Sequence, residues 1–266
     1  MIDLTAFQNW LKLNTSSENT ALSYYYCIRS FFNFSQGEIN NELIQKYFLH
    51  LIESKKSNST FNQTVQAFKV YSQFTKTEYD IPKTKRIDER LIEDYITEEE
   101  LNYIISYLPK IFQDPFHVEL ILKFLFYTGL RKGELFNLTR NDINLEKNII
   151  TIRNTKSNRD ERIYFPKSLV PMIRAYYLQC PEKDNAFNVY KHTLIYWFEQ
   201  LNTQLIFRIH LHPHTLRHSA CTYFFTIEKD YRRIQKQMRH TDIKITMKYS
   251  HLSEEELGDW YNKKIR

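Results

Sequence analysis

His214-Thr215-Leu216-Arg217-His218 places two histidines and an arginine within five residues, directly after Pro213. Proline suits the first turn of a helix, because the N–H it lacks is one that the first turn leaves unpaired. On such a helix His214 and Arg217, three residues apart, share a face. An arginine fork and a histidine proton donor on one face suit the grip of a single phosphate. His210, His212, His214 and His218 also raise the question of a metal. No acid or cysteine accompanies them, and a zinc site usually draws on two separated ligand pairs. Zinc is therefore disfavoured, and His210, His212 and His218 are expected to pack or to support.

Working outward, the downstream stretch Arg239-His240-Thr241-Asp242-Ile243-Lys244-Ile245-Thr246-Met247-Lys248-Tyr249-Ser250-His251 puts a tyrosine nine residues after a histidine. Lys229, Arg232, Arg233, Lys236, Arg239, Lys244 and Lys248 outnumber Glu228, Asp230 and Asp242 there, as a phosphate-contact surface requires. Upstream, a helix around Val118–Tyr127 is stopped by Gly129, within Thr128-Gly129-Leu130-Arg131-Lys132-Gly133-Glu134-Leu135. Arg131 then stands near a helix N-terminus, where unpaired N–H groups favour an anion. The runs Ile149–Arg153 and Arg162–Phe165 are β-branched or aromatic and flank the polar 154–160, which predicts a hairpin with Lys156 in its turn. Helices resume at about Ser168.

The amino-terminal part carries apolar residues at spacings of three and four, from Leu4 to Leu11, Leu22 to Phe32, Leu43 to Leu51 and Phe61 to Tyr71. Four helices follow, the second capped by Ser16 or Ser17. Tyr79-Asp80-Ile81-Pro82-Lys83-Thr84-Lys85-Arg86 then predicts an exposed tether, with Lys83, Lys85 and Arg86 available to a phosphate backbone. Thr97 caps the next helix, and Glu98, Glu99 and Glu100 suit its positive end. The expected organisation is a four-helix domain over 1–78, a linker over 79–93 and a mostly helical domain with a small antiparallel β-sheet over 94–266; the fold class is mainly α.

Composition narrows the function. Residues 1–80 balance seven basic against seven acidic side chains, while 81–266 hold thirty against twenty-four, the whole of the net +6. A basic excess confined to one part suits a polyanionic partner there. With four glycines and neither GxxxxGK[ST] nor GxGxxG, the chain has no nucleotide loop of those kinds. Cys27, Cys180 and Cys221 are scattered, as in a reducing compartment. No basic-then-apolar leader opens the chain, and Glu119 and Lys123 interrupt its most apolar stretch, so a cytoplasmic protein without a membrane span is expected.

Arg131 in GLRKGEL, Lys156, His214 and Arg217 in HTLRH, and His240 and Tyr249 in TMKYSH resemble the tyrosine recombinase (phage integrase) family, in residue type and in order. The overlap runs from about Thr97 to His251. The smaller helical domain resembles that family's core-binding domain in size and placement, and the whole resembles its short, two-domain, Xer-like members. Two departures stand out: Arg239 occupies a place where the family often has glycine, and the amino-terminal domain is charge-neutral where a DNA clamp is expected to be basic.

The resemblance implies a chemistry. A tyrosine hydroxyl, with a pKa of about 10, needs assistance to attack. Tyr249 would attack a phosphodiester and keep the 3′ phosphate while a 5′ hydroxyl leaves. Arg131 and Arg217 would clamp the non-bridging oxygens, and His240 would add a hydrogen bond. Lys156 would protonate the leaving oxygen, and His214 would assist the tyrosine or the phosphate. Glu134, Thr246 and His251 would support these groups. No cofactor or metal is implied. The partner is duplex DNA carrying a specific site, for integration, excision or resolution, with self-association into a tetramer on two duplexes. Leu257 and Trp260 are candidate anchors, docking either in cis or on a neighbouring copy. A topoisomerase of type IB, a catalytically silent DNA binder and a zinc nuclease are the rival readings.

Overall fold

The structure, a computed structural model, describes residues 4–15, 17–85, 94–153, 160–181, 183, 185–228 and 230–247. The chain divides into two compact units, Met1–Glu89 and Arg90–Arg266. In the first, α1 (Leu4–Asn14), α2 (Glu18–Phe34), α3 (Asn41–Glu53) and α4 (Asn58–Thr75) follow the apolar spacing. Ser17, Asn40 and Ser57 stop the chain in extended conformation and accept from Thr20, Leu43 and Thr60, which satisfies N–H groups the first turns leave open. Of the two serines expected to cap α2, Ser17 does so. Phe7, Ile28, Phe31, Ile44 and Phe68 meet in the core. Each such side chain stabilises the fold by roughly 1.5–3 kcal/mol through burial.

The stretch expected to be an exposed tether is docked over its first seven residues. Tyr79 and Ile81 pack on the helical core. Asn41 accepts from the Asp80 N–H at 3.0 Å, Gln45 donates to the Asp80 carbonyl at 3.0 Å, and Asn62 exchanges two bonds with the Lys85 backbone at 2.7 and 2.8 Å. Two apolar side chains find cover, and helix amides satisfy an extended backbone that has no ladder of its own. Lys85 lies with its ammonium 4.5 Å from the centre of the Phe61 ring, half-buried rather than fully offered to solvent. Beside it, α2 and α4 leave an open groove of about 430 Å³ lined by Asn19, Thr20, Ser23, Tyr24, Asn62, Gln63 and Gln66, with no charged residue among them.

The second unit is built around α6 (Pro115–Thr128), which buries side chains on almost every face, from Val118 through Leu122 to Phe126. Asp114 caps it, Pro115 opens it and Gly129 ends it at φ +65°. α5 (Glu98–Ile111) begins with the Thr97–Glu100 capping box. After α7 (Lys132–Asn137) a three-stranded antiparallel sheet forms in the order β1 (Ile143–Asn144), β2 (Ile149–Ile152), β3 (Glu161–Tyr164), with Ile150 opposite Ile163. β2 and β3 match the expected hairpin arms. β1 was not anticipated; two residues carry no periodicity. Five further helices follow: α8 (Val170–Gln179), α9 (Lys191–Gln204), α10 (Pro213–Ile227), α11 (Tyr231–Met238) and α12 (Ile243–Met247). α10 packs along α6, which brings Arg217 against the end of that helix at Gly129. Among the described residues no helix is long and apolar enough to cross a membrane.

Candidate active site

Arg217 lies on the first turns of α10 with its side chain directed inward and only 7 % of the residue exposed. Its guanidinium donates through Nη1 to the carbonyl of Gly129 and through Nη2 to the carbonyl of Met238. Those carbonyls belong to the ends of α6 and α11, where helix geometry leaves C=O groups without intrahelical partners. Burial, then the nearby Arg131 and Arg239, push the Arg217 guanidinium down to about 9, so it is a cation at neutral pH.

Arg131 occupies the cap of α7, where sequence reasoning places it. Its Nη1 donates to Glu134 Oε1 at 2.9 Å and its Nη2 to the Arg239 carbonyl at 3.1 Å. Glu134 also accepts from the Arg131 backbone N–H at 2.8 Å. Burial would raise the Glu134 carboxyl, but Arg239 and Arg131 beside it hold it below its ordinary range. Glu134 is thus a partly buried partner of Arg131 rather than a solvated acid on a helix surface.

His240 follows α11 directly, and its Nδ1 is 2.9 Å from the hydroxyl of Thr246, a fully buried residue on α12. Burial, Arg217, Arg131 and Arg239 push the imidazole down to about 4. It is neutral at neutral pH. The Thr246 hydroxyl can donate to Nδ1, and in that tautomer the ring proton is on Nε2. His214 stands exposed at the start of α10. Its ring is 6.4 Å from that of His218. Partial burial, His218 and Lys132 lower its proton affinity. Among the described residues no group of three or more His, Cys, Asp or Glu side chains is placed to hold a metal ion.

Arg131, Arg217, His240, Glu134 and Thr246 therefore come together from three helices and a turn. Lys156, Tyr249, His251, Lys248, Lys229, Arg86, Leu257 and Trp260 lie outside the described residues. Arg232, Arg233, Lys236 and Lys244 are exposed, as are Lys83 and the acids Asp230 and Asp242. Arg233 is paired with Glu228 at 2.9 Å. Arg239 departs from the exposed phosphate contact expected of it: its side chain is 2 % exposed and its Nη2 is 2.5 Å from Glu134 Oε2. The reason is backbone geometry. Residue 239 ends α11 in the left-handed region, φ +53° and ψ +47°, as a glycine there would, and the side chain points back into the unit.

Sequence reasoning missed Gln237. Its amide accepts from the Tyr164 N–H at 3.0 Å and donates to the Tyr164 carbonyl at 2.8 Å, so α11 is pinned to β3 as a neighbouring strand would be. A glutamine in a basic run carries no local signal for this. Gly129 was read as a helix stop, but it also permits contact: a Cβ there would lie 2.6 Å from Met238 Sδ.

Comparison with known proteins meets this geometry. Residues 94–256 match the model of the phage integrase family. The chain is 29% identical to tyrosine recombinase XerA of Pyrococcus furiosus, over 96% of this chain and 91% of that protein. It is 26% identical to tyrosine recombinase XerD of Halalkalibacterium halodurans, over 92% and 91% respectively. In fold it resembles the Tn1549 transposon integrase in complex with transposon right end DNA, with a TM-score of 0.73 and 16% identity over 100% of both chains. It likewise resembles the XerH site-specific recombinase bound to a palindromic difH substrate, with a TM-score of 0.69 and 16% identity over 91% of this chain and 79% of that one. The matched segment contains the Arg131, Arg217 and His240 cluster, and this chain belongs to the phage integrase family.

Proposed function

We propose that this chain is a site-specific DNA recombinase that cuts and rejoins duplex DNA through a 3′-phosphotyrosine link, with Tyr249 as the nucleophile. The observation that carries this reading is the meeting of Arg131, Arg217 and His240 around the adjacent carbonyls of Met238 and Arg239. Two guanidiniums fixed by carbonyls and a carboxylate are preorganised for the non-bridging oxygens of a phosphodiester, which gain charge as attack proceeds. The neutral His240 offers its Nε2–H to the same oxygens. Lys156 protonates the 5′ oxygen as it departs, His214 assists proton removal from Tyr249, and His251 supports the tyrosine segment. The returning 5′ hydroxyl, or one from a second duplex, reverses the attack.

Duplex DNA is held by the exposed Lys83, Arg232, Arg233, Lys236 and Lys244, with Arg86 and Lys248. The charge-neutral first unit meets DNA through the amide groove between α2 and α4, since Asn and Gln side chains pair with base edges without charge. Self-association into a tetramer uses Leu257 and Trp260, docked on a second copy. The receiving surface is the groove of about 330 Å³ floored by Tyr164, Phe224 and Ile234, with Arg162 and Glu228 at its rim. Arg162 there complements the Glu254-Glu255-Glu256 run of the docking segment.

The test is covalent trapping on nicked genomic fragments with a chelator present, comparing the wild-type protein with Tyr249→Phe. A wild-type adduct at one inverted repeat, absent from Tyr249→Phe, is the expected result. Adducts scattered over many sequences would replace this reading with a topoisomerase, and tight binding without any adduct would replace it with a DNA-binding protein.

A further inference from the structure

Among the described residues, Arg239 is the one buried cation near the cluster that the chemistry above does not use. Its guanidinium sits beside Glu134 with Nη2 to Oε2 at 2.5 Å, and its Nη1 donates to the Gln237 carbonyl at 3.0 Å. Its backbone carbonyl accepts from Arg131 Nη2 at 3.1 Å. Arg131, Glu134 and Arg239 thus close a ring: Arg131 to the carboxylate, the carboxylate to Arg239, and the Arg239 carbonyl back to Arg131. The Arg239 Nε, buried and without a hydrogen-bond partner among the described residues, is 3.8 Å from Glu161 at the start of β3. β3 is the strand that follows the segment holding Lys156.

The left-handed backbone at 239 makes this arrangement informative. Glycine takes that conformation without a Cβ penalty, and an arginine does not. The chain carries the costlier residue and buries its charge. Electrostatics supplies a reason. Glu134 alone with Arg131 is a neutral pair, and a phosphate arriving beside it meets little field from Arg131. A second guanidinium on the same carboxylate restores the balance: Arg131, Arg239 and the nearby Arg217 against Glu134 and Glu161 leave a net +1 in a partly water-excluded cluster.

We propose that Arg239 is a positioning residue for strand cleavage: its side chain takes up the charge of Glu134 and anchors the turn whose carbonyl at 239 aims the Arg131 guanidinium at the scissile phosphate. This rests on the reading of Arg131 as a phosphate ligand. Arg239 does not touch DNA.

The experiment combines two measurements on the full chain. The first is single-turnover cleavage of the nicked DNA captured by the wild-type protein, with affinity for that DNA read separately. Arg239→Gly suits the backbone better and removes the guanidinium. Its cleavage rate is expected to fall about 100-fold while affinity changes less than about threefold, since the lost field acts mainly on the transition state. Arg239→Lys keeps the charge without the fork and should lose about tenfold. Adding Glu134→Gln to Arg239→Gly should recover part of the rate, because the unbalanced carboxylate is then gone. A purely structural role predicts the opposite: the two losses add, and affinity and melting temperature fall along with the rate.

The second measurement needs no DNA. In a spectrum of ¹⁵N-arginine side chains, the Arg131 signal, assigned by its loss in Arg131→Lys, is expected to be protected in the wild type and to broaden or exchange in Arg239→Gly. An unchanged Arg131 signal, or an unchanged cleavage rate in Arg239→Gly, overturns the proposal. If Arg131→Lys itself cleaves at the wild-type rate, the reading of Arg131 fails instead, and the two failures are distinguished.

Discussion

His240 shows how charge is apportioned among single residues. Burial and three nearby guanidiniums hold its proton affinity down to about 4, so the imidazole is neutral where Arg217 is charged. The consequence for stability has a definite sign. The unfolded chain takes up a proton at the ordinary histidine value of about 6.5, and folded His240 refuses it until about pH 4. Between those values the unfolded state binds more protons, so stability falls as pH falls through that window and is unaffected by this residue above it. Thermal melts from pH 7 to pH 4.5 should show a shallower loss for His240→Asn than for the wild type; parallel curves would remove His240 as a source. Much of this residue scale was legible beforehand. Arg131, Arg217 and His240 stand out jointly, by the family resemblance in type and order, and Thr246 was expected to support the tyrosine segment, whereas its hydroxyl lies 2.9 Å from His240 Nδ1. Arg239 was misjudged because a cation within a basic run suggests solvent, and its partner Glu134 is 105 residues away in sequence.

At the scale of elements, the site depends on how the ends of α6 and α11 meet. Gly129 at φ +65° and Met238 touch so closely that a Cβ at 129 would sit 2.6 Å from Met238 Sδ and 3.4 Å from Ala220 Cβ. Both residues present carbonyls to Arg217. Gly129→Ala therefore combines backbone strain with overpacking and should cost roughly 2–4 kcal/mol, read as a lower midpoint in urea. A midpoint equal to the wild type would show that Met238 moves aside freely. The helices themselves were legible, because apolar spacing, Ser, Asn and Thr caps and the Gly129 stop all speak locally. The hairpin arms were legible from their β-branched runs. The hold of Gln237 on β3 was not, since a side-chain amide imitating a strand edge leaves no pattern.

Across the whole molecule, charge and core are divided unequally. The first unit buries aromatic helices under a neutral surface, and the second carries the basic excess and the arginine cluster. The proposed self-association gives the segment after Ser253 a measurable task. Deleting it should leave DNA-bound protein at a lower oligomeric state by light scattering, and recombination should fall at least about tenfold as the docking anchors are lost. Unchanged assembly would show that Leu257 and Trp260 do not join copies. The Pro-and-Lys stretch from Tyr79 marked a change of composition, but its docking was not legible, because it depends on Asn41, Gln45 and Asn62 on other helices.

That docking has a mechanical consequence. Lys85 is tied to Asn62 of α4 within the first unit, and the Ile96 N–H is tied at 2.8 Å to the hydroxyl of Ser219, two residues beyond Arg217 on α10, within the second. A force applied at Lys85 is therefore borne by a helix that lines the amide groove, and one applied at Ile96 by the helix that carries Arg217.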